Sequence, residues 1–477
     1  MIVQQFFVGG IAHSSYLVAG SKECAIVDPR RDVNIYLEAA EKFNMKITHI
    51  LETHLHADFI SGHMDLMDIT GASIVAPESA NCKFEHQAVA ENDEFSIEDI
   101  KFRVLETPGH TPEHISYVVS DVARGPDPVG AFCGDTLFVG DVGRPDLFPG
   151  RAEELASKLF DSVNDKLLKL PEFCEIYPAH GAGSLCGRAM SAKRRSTIGY
   201  EKKYNSALQI RDREEFIQSL ITNMPDTPDH FSHCSSINKE GPALVSSLPE
   251  PKGMDVQSFN ERREFEDTVV LDVRSYDAFG GQHVPGAYHD DLTSNFATFA
   301  GWMLPPESEI LLVSSDNAQA NEATIWLRRV GLDNTSGYLD RGMHAWNVAG
   351  QPTNHVPQIS VHEFHEMVKG KREMVLVDVR GHGEYGGHRI EGSLNIPAPD
   401  LRTRHKELNP EMTTVLMCSS GRRSSLAASL LKQRGFKDVL NLAGGMTGYS
   451  AAGYVPECKF CAMPHGPRFL GKKEIAV

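Results

Sequence analysis

The second half of the chain is written twice. Leu271-Asp272-Val273-Arg274 matches Val377-Asp378-Val379-Arg380 at an offset of 106. At that same offset of 106, Phe279-Gly280-Gly281 matches Tyr385-Gly386-Gly387, and Gly286-Ala287 matches Gly392-Ser393. The stretch 327–331 then aligns with 431–435 at an offset of 104, and Gly342-Met343 with Gly445-Met446 at 103. Matches in constant order with a slowly drifting offset mean two copies of one domain about 100 residues long, too long a period for a solenoid. Each copy alternates apolar strand-like runs with helical segments, the pattern of a small α/β domain with a parallel sheet.

At about 150 residues per domain, the 477 residues allow roughly three domains. The stretch before the repeats supplies the third. There, 15–19 and 24–27 read as a hairpin pair, 33–43 has helical spacing, and 47–51 is a short apolar strand running into a His-rich turn. From Met224 to Asp255 the chain turns rich in Pro, Ser, Gly and Asn without periodicity, as a linker or wrapping segment would. The reading is therefore a domain over 1–223, a linker over 224–254, repeat copies over 255–353 and 354–457, and a tail over 458–477. Lys plus Arg number 47 against 64 Asp plus Glu, a net charge of −17, with no basic cluster. Nucleic acid and anionic membrane are poor partners for such a chain. No apolar run approaches the roughly 18 residues that span a bilayer, and the first residues lack a basic n-region and cleavage site. Nine widely spaced cysteines fit a reducing compartment better than a disulfide framework, so a cytoplasmic location is expected.

The candidate chemistry of the first domain lies on four turns, each following an apolar run: Glu52-Thr53-His54-Leu55-His56-Ala57-Asp58-Phe59, Thr107-Pro108-Gly109-His110-Thr111, Gly134-Asp135-Thr136, and Tyr177-Pro178-Ala179-His180-Gly181. Strand ends are where α/β folds place ligands. A single His on such a turn is ordinarily a hydrogen-bonded or surface residue. Four independent turns carrying His or Asp point instead to a common metal cleft.

Their order and spacing resemble the metallo-β-lactamase superfamily, an αββα sandwich, over residues 1 to about 222. Most of that superfamily holds two metals with His-x-His-x-Asp-His; here the final His position is Phe59. Phe cannot donate to a cation, which argues against a dinuclear zinc site. The departure resembles the persulfide dioxygenases related to glyoxalase II. That resemblance implies a single Fe(II) per chain held by His54, His110 and Asp135, the facial triad of non-haem oxygenases with open positions for substrate sulfur and O₂. His56, Asp58 and His180 would then orient the ligands and shape the pocket. The branch also carries a Gly-Arg-x-Asp turn, here Gly143-Arg144-Pro145-Asp146, which makes Arg144 and Asp146 candidates for substrate binding, with Arg144 clamping a carboxylate of a thiol carrier. Cys186, in Gly183-Ser184-Leu185-Cys186-Gly187, is placed near the same cleft; a small buried thiol is its plainer reading.

In the last repeat, apolar Val415-Leu416-Met417 leads through Cys418-Ser419-Ser420-Gly421-Arg422-Arg423-Ser424 into a helical run over 426–433. Loop amides and a helix N-terminus would face the sulfur and stabilise an anion there. Arg422 and Arg423 would add charge for a sulfur oxyanion. A Cys-x₅-Arg phosphatase loop needs Arg at 424, which is Ser424, so this shorter loop suits a sulfane sulfur. It resembles the active loop of a rhodanese, a sulfurtransferase working through a Cys418 persulfide. The first copy aligns Ser314 with Cys418 and has no Arg pair, which makes it a silent repeat, serving as a spacer or an oligomerisation surface of a homo-oligomer. Cys458-Lys459-Phe460-Cys461 and His465 lack an obvious fourth zinc ligand.

Taken whole, the chain resembles a persulfide dioxygenase–rhodanese fusion. The resemblance implies oxidation of a low-molecular-weight thiol persulfide by O₂ to sulfite, coupled to thiosulfate formation or use in sulfide detoxification. Two other readings stay open: a zinc thioester hydrolase of glyoxalase II type, and a sensing or scaffolding metal domain beside a working sulfurtransferase.

Overall fold

The structure, a computed structural model, describes residues 1–222, 224, 227–228, 230–292 and 295–454. Cys458, Cys461 and His465 lie outside the described residues. Two compact units emerge: Met1–Arg274 with Asp290–Gln351, and Ser275–His289 with the described residues from Pro352 onward.

In the first unit, strands Ile2–Val8, His13–Ala19, Glu23–Val27, Lys46–Leu51, Ser73–Pro77 and Gln87–Val89 form one sheet in sequence order, antiparallel at first and parallel from the third strand on. Glu94–Ile97, Ile100–Glu106, Ile115–Asp121, Gly130–Gly134, Glu175–Pro178 and Ser196–Thr197 form a second, also in sequence order. Alternation decides which faces meet: Ile100, Phe102 and Val104 point inward with Tyr117, Val119 and Phe132 against Tyr16, Val18, Ala25, Val27 and Leu51 of the first sheet. Helices cover both outer faces. Asn34–Lys42 buries Tyr36, Ala39 and Ala40 on the first sheet, and Ala152–Asp161 buries Leu155, Ala156 and Leu159 beside Arg213–Ile221 on the second. This is the αββα sandwich. All four ligand-bearing turns leave ends of its strands.

The stretch read as a linker or wrapping segment carries structure that packs on its neighbours. Residues His230–Glu240 form a helix with Phe231 and Cys234 buried, and Lys252–Met254 is a strand of the middle repeat. Lack of apolar periodicity misled there, because that helix is anchored by polar as well as apolar side chains. In the middle repeat Lys252–Met254, Thr335–Leu339, Glu309–Val313 and Thr268–Asp272 lie side by side, all parallel. In the last repeat the order is Gln358–Ile359, Val439–Leu442, Thr414–Met417, Val375–Asp378, Leu394–Asn395, again parallel. The stretch Ser275–His289 of the middle repeat packs with the second unit, where the His289 N–H donates to Ser429 Oγ at 3.0 Å.

The repeated sequence motifs are structural devices. Arg274 forks onto Asp272 at 2.9 and 2.6 Å, and Arg380 onto Asp378 at 3.0 and 2.7 Å, so each Asp-Val-Arg is a buried ion pair at a strand end. Gly342 (φ 53°) and Gly445 (φ 52°) lie where a Cβ would stand 2.5 Å from the Ser314 carbonyl oxygen and 2.3 Å from that of Cys418, so no side chain fits at either place.

Candidate functional site

His54, His110 and Asp135 converge. All are buried, and one ligand atom from each lies within 4.8 Å of the others. Hydrogen bonds fix which nitrogen faces the centre. His110 Nδ1 donates to the Arg144 carbonyl at 2.9 Å, leaving the Nε2 lone pair 3.3 Å from Asp135 Oδ2 with no hydrogen-bond donor. Thr53 Oγ1 gives its proton to the Asp28 carboxylate at 3.0 Å and therefore accepts from His54 Nδ1 at 2.9 Å, which turns the His54 Nε2 lone pair toward Asp135 as well. Burial pushes both imidazoles below their ordinary pKa, so both are neutral. Two neutral imidazole lone pairs and a carboxylate, all turned inward, fit a divalent cation.

Asp135 is held from three sides. His180 Nδ1 reaches its two oxygens at 2.8 and 2.9 Å, while His180 Nε2 meets Asp58 Oδ2 at 2.8 Å. With a carboxylate at each nitrogen, His180 is an imidazolium; burial opposes this, but Asp135 and Asp58 raise its pKa well above the ordinary value. Burial alone would raise the Asp135 carboxyl, yet the charge and hydrogen bonds of His180 hold it well below the usual range. The Asp135 N–H donates to His114 Nε2 at 2.9 Å, so His114 Nδ1 carries the proton toward Thr107 Oγ1 and Thr136 Oγ1, both at 3.0 Å. Burial lowers His114 to about 3. Gly143 passes so close that a Cβ there would stand 1.9 Å from the Asp135 carbonyl oxygen.

His56 lies outside the triad. Its Nε2 stands 3.2 Å from Asp28 Oδ1 and 3.7 Å from Glu52 Oε2, and Glu52 Oε1 is 3.3 Å from His63 Nδ1, a buried ion network under the turn. Phe59 is fully buried, its ring 4.0 Å from that of His13 and 4.4 Å from that of His56, so an apolar wall stands at the position of the missing fourth motif ligand. Cys186 joins the centre. Its sulfur, Asp58 and His180 also have donor atoms within 4.8 Å of one another, and burial pushes its thiol well above the ordinary pKa.

Arg144 is tied into its own loop. It is buried, and its guanidinium forks onto Asp146 at 2.6 and 2.8 Å while also donating to the Leu185 carbonyl and Thr227 Oγ1. Arg144 and Asp146 thus hold the loop whose backbone orients His110 and, through the Arg144 N–H to the Cys186 carbonyl at 3.1 Å, Cys186.

In the last repeat the strand Thr414–Met417 delivers Cys418 to the N-terminus of the helix Arg422–Gln433. Cys418 Sγ accepts from the Gly421 N–H at 3.1 Å and from the Ser424 hydroxyl at 3.4 Å; Gly421 adopts φ 100°, which closes the loop. Arg423 departs from expectation. It forks onto Glu384 at 2.7 and 2.8 Å and donates to Ser419 Oγ at 2.9 Å, so it braces the loop, whereas Arg422 stands exposed on the first turn. Burial alone would raise the Glu384 carboxyl; Arg423, the Gly381 N–H and Ser419 bring it down to about 2. In the middle repeat Ser314 Oγ donates to the Asp316 carbonyl, and Asp316 Oδ1 caps the helix Asn317–Arg329 by accepting from Gln319 N–H, so a carboxylate occupies the helix end that would face an anion.

His13, His114, Asn238 and Glu384 were not singled out from sequence. Only His114 carried a usable signal, four residues after His110 on the same turn.

Comparison with known proteins agrees with this architecture. The family description Metallo-beta-lactamase superfamily matches residues 8–180, and Rhodanese-like domain matches 255–349 and 360–452. The chain is 31% identical over 221 residues to a hydroxyacylglutathione hydrolase of Prochlorococcus marinus (strain MIT 9211), covering 42% of this chain and 86% of that protein. It spans only 55% and 57% of the length of the hydroxyacylglutathione hydrolases of Idiomarina loihiensis and Rhodospirillum rubrum. Among solved structures, a metallo-beta-lactamase from Staphylococcus aureus subsp. aureus COL superposes with a TM-score of 0.64 at 34% identity, covering 71% of this chain and 98% of that one. ETHE1 from Myxococcus xanthus superposes with a TM-score of 0.44 at 28% identity, covering 50% of this chain and 98% of that one. The chain belongs to the metallo-β-lactamase superfamily and carries two rhodanese-like domains in tandem behind its metallo-β-lactamase domain.

Proposed function

We propose that the chain is an Fe(II)-dependent persulfide dioxygenase joined to a rhodanese sulfurtransferase. The observation that carries the reading is the triad His54, His110 and Asp135 with its tautomers set inward, beside the ligand-dead Phe59 and in one chain with the Cys418 loop. Iron held by the triad supplies redox chemistry between a thiol persulfide and O₂. Overall, RSSH, O₂ and H₂O give RSH, sulfite and two protons: the S–S bond breaks, the sulfane sulfur loses four electrons, and O₂ gains them. The chain's own residues bind and orient. His180 and His114 fix Asp135 from side chain and backbone, the Arg144 carbonyl fixes His110, and Phe59 excludes water from the wall facing His56. In the other half, the Cys418 thiolate takes a sulfane sulfur from RSSH, releasing RSH, and passes it to sulfite as thiosulfate, with the Gly421 N–H and the helix N-terminus holding the anionic sulfur. Joining the two halves raises the effective concentration of sulfite at its acceptor.

A second reading, zinc-dependent hydrolysis of a glutathione thioester, is favoured by the hydroxyacylglutathione hydrolases among the relatives. Sulfur-anion chromatography on wild type, Cys418→Ser and His54→Ala, under the same O₂ and persulfide, separates them. Persulfide dioxygenation predicts thiosulfate, sulfite and no oxidised product respectively. Thioester hydrolysis with no O₂-dependent sulfur oxyanion in any of the three would overturn the proposal.

A further inference from the structure

The turn that carries His54, His56 and Asp58 is held from outside its own domain. Asn238, on the helix His230–Glu240, is buried with its side-chain amide fully used: Nδ2 donates to the carbonyls of His56 and Phe59, both at 2.8 Å, and Oδ1 accepts from the Ser61 N–H at 2.9 Å. Between those contacts, the Ile60 N–H donates at 2.7 Å to the carbonyl of Arg329, the last residue of the helix Asn317–Arg329 in the middle repeat. Four backbone groups of the 56–61 turn therefore depend on two residues that belong neither to the sandwich nor to the working sulfurtransferase.

The same two elements are locked to the sandwich and to each other. Arg329 forks onto Asp32 at 2.7 and 2.9 Å. Arg31, which is 1% exposed, donates to the Ala243 carbonyl at 2.7 Å and to Asp333 at 3.2 Å. Cys234 Sγ meets the Val330 carbonyl at 3.5 Å, and a Cβ on Gly331 would stand 3.0 Å from Ile237. Phe231 packs with Ala57 and Cys186 at the metal centre. A spacer would not bury charged side chains at its boundary or accept a backbone hydrogen bond from a ligand turn.

We propose that the silent middle repeat is a brace of the metal centre, with Asn238 and Arg329 as positioning residues that fix the ligand turn. Ser314 in place of a cysteine then has a plain sense: the repeat has lost sulfur chemistry and keeps its scaffold for the helix end at Arg329. This rests on the assignment of His54, His110 and Asp135 as the metal site, but not on what that metal does. Outer partners of metal ligands set affinity by about 10–100-fold, and Asn238 acts through the turn's backbone in that way.

The test uses the full chain stripped of metal and titrated with Co(II) against a chromophoric chelator, reading the dissociation constant and the visible ligand-field spectrum. Asn238→Ala and, separately, Arg329→Ala should weaken Co(II) binding by about 10-fold or more and shift the spectrum, while Cys418-dependent sulfur transfer stays at the wild-type rate and reports a folded chain. Arg329→Lys, which keeps a charge for Asp32, should recover most of the affinity. Should Asn238→Ala fail to fold, the Arg329 pair decides alone. Wild-type affinity and spectrum in a folded Arg329→Ala variant would overturn the brace. If wild type binds Co(II) at the triad yet the iron-loaded chain takes up no O₂, the dioxygenase reading falls and the brace stands.

Discussion

Replacing Glu384 by Gln should loosen the cysteine loop of the last repeat by an amount that depends on pH in a set direction. Glu384 receives a fork from Arg423 at 2.7 and 2.8 Å and a bond from Ser419 Oγ at 3.1 Å, and Arg423 in turn donates to Ser419. Against burial, these partners take its carboxyl from 4.5 down to about 2. At roughly 1.4 kcal/mol per pH unit, that corresponds to about 3.5 kcal/mol favouring the charged over the neutral form. The pair's side chains are 20% and 22% exposed, so solvent screening brings the expectation to about 2 kcal/mol. Gln is the neutral isostere, so the variant lacks this term at every pH. Because the folded pKa is depressed, the wild-type advantage is complete above the unfolded carboxylate pKa and fades as pH falls from there toward 2. Hydrogen exchange on the peptide that includes Gly421 should therefore run about 30-fold faster in Glu384→Gln at pH 7, and the ratio should close toward unity on acidification. Equal exchange at pH 7, or a gap that persists unchanged near pH 2.5, would refute the reasoning.

Other perturbations follow from the same geometry. His110→Ala removes one of three inward donors and should take the bound metal from about one per chain to near none, read by elemental analysis, with sulfur transfer untouched. Phe59→His restores the missing motif ligand; metal content should rise toward about two per chain, at a stability cost of about 1–2 kcal/mol for lost apolar packing in a urea titration. No gain in metal would show that Phe59 is not what limits the site. Ser314→Cys in a Cys418→Ser background should give no detectable thiosulfate sulfurtransferase activity, since Asp316 caps the helix end that an anionic sulfur needs; measurable turnover would show that the middle repeat lacks only its nucleophile.

Features read from local chemistry were the ones legible in sequence. The hairpin at 15–19 and 24–27 appears as His13–Ala19 and Glu23–Val27, the helix at 33–43 as Asn34–Lys42, and the strand entering the His turn as Lys46–Leu51. His54, His110 and Asp135 could be grouped because each sits on a turn after an apolar strand, and strand ends of one sandwich gather at one edge. What stayed hidden depends on contacts between residues far apart in the chain. Arg423 and Glu384 are 39 residues apart, and nothing in the loop itself shows that the arginine's charge is already matched. Asn238 and Arg329 sit in stretches without motif character, and their meaning comes only from the turn they meet 177 or more residues upstream. The packing of Arg144 is hidden for a related reason: its partner Asp146 lies two residues away, but burial of the guanidinium is a tertiary fact.

The central claim is that the triad works as an iron oxygenase on a persulfide, and an oxygen-electrode trace on purified chain of known metal content tests it most directly. With about one iron per chain, addition of a low-molecular-weight thiol persulfide should draw down about one O₂ for every two persulfides consumed in wild type, the second sulfane sulfur going to thiosulfate, and His110→Ala should leave the trace flat. Two tightly bound zincs per chain, a flat wild-type trace and brisk hydrolysis of a glutathione thioester would contradict the account.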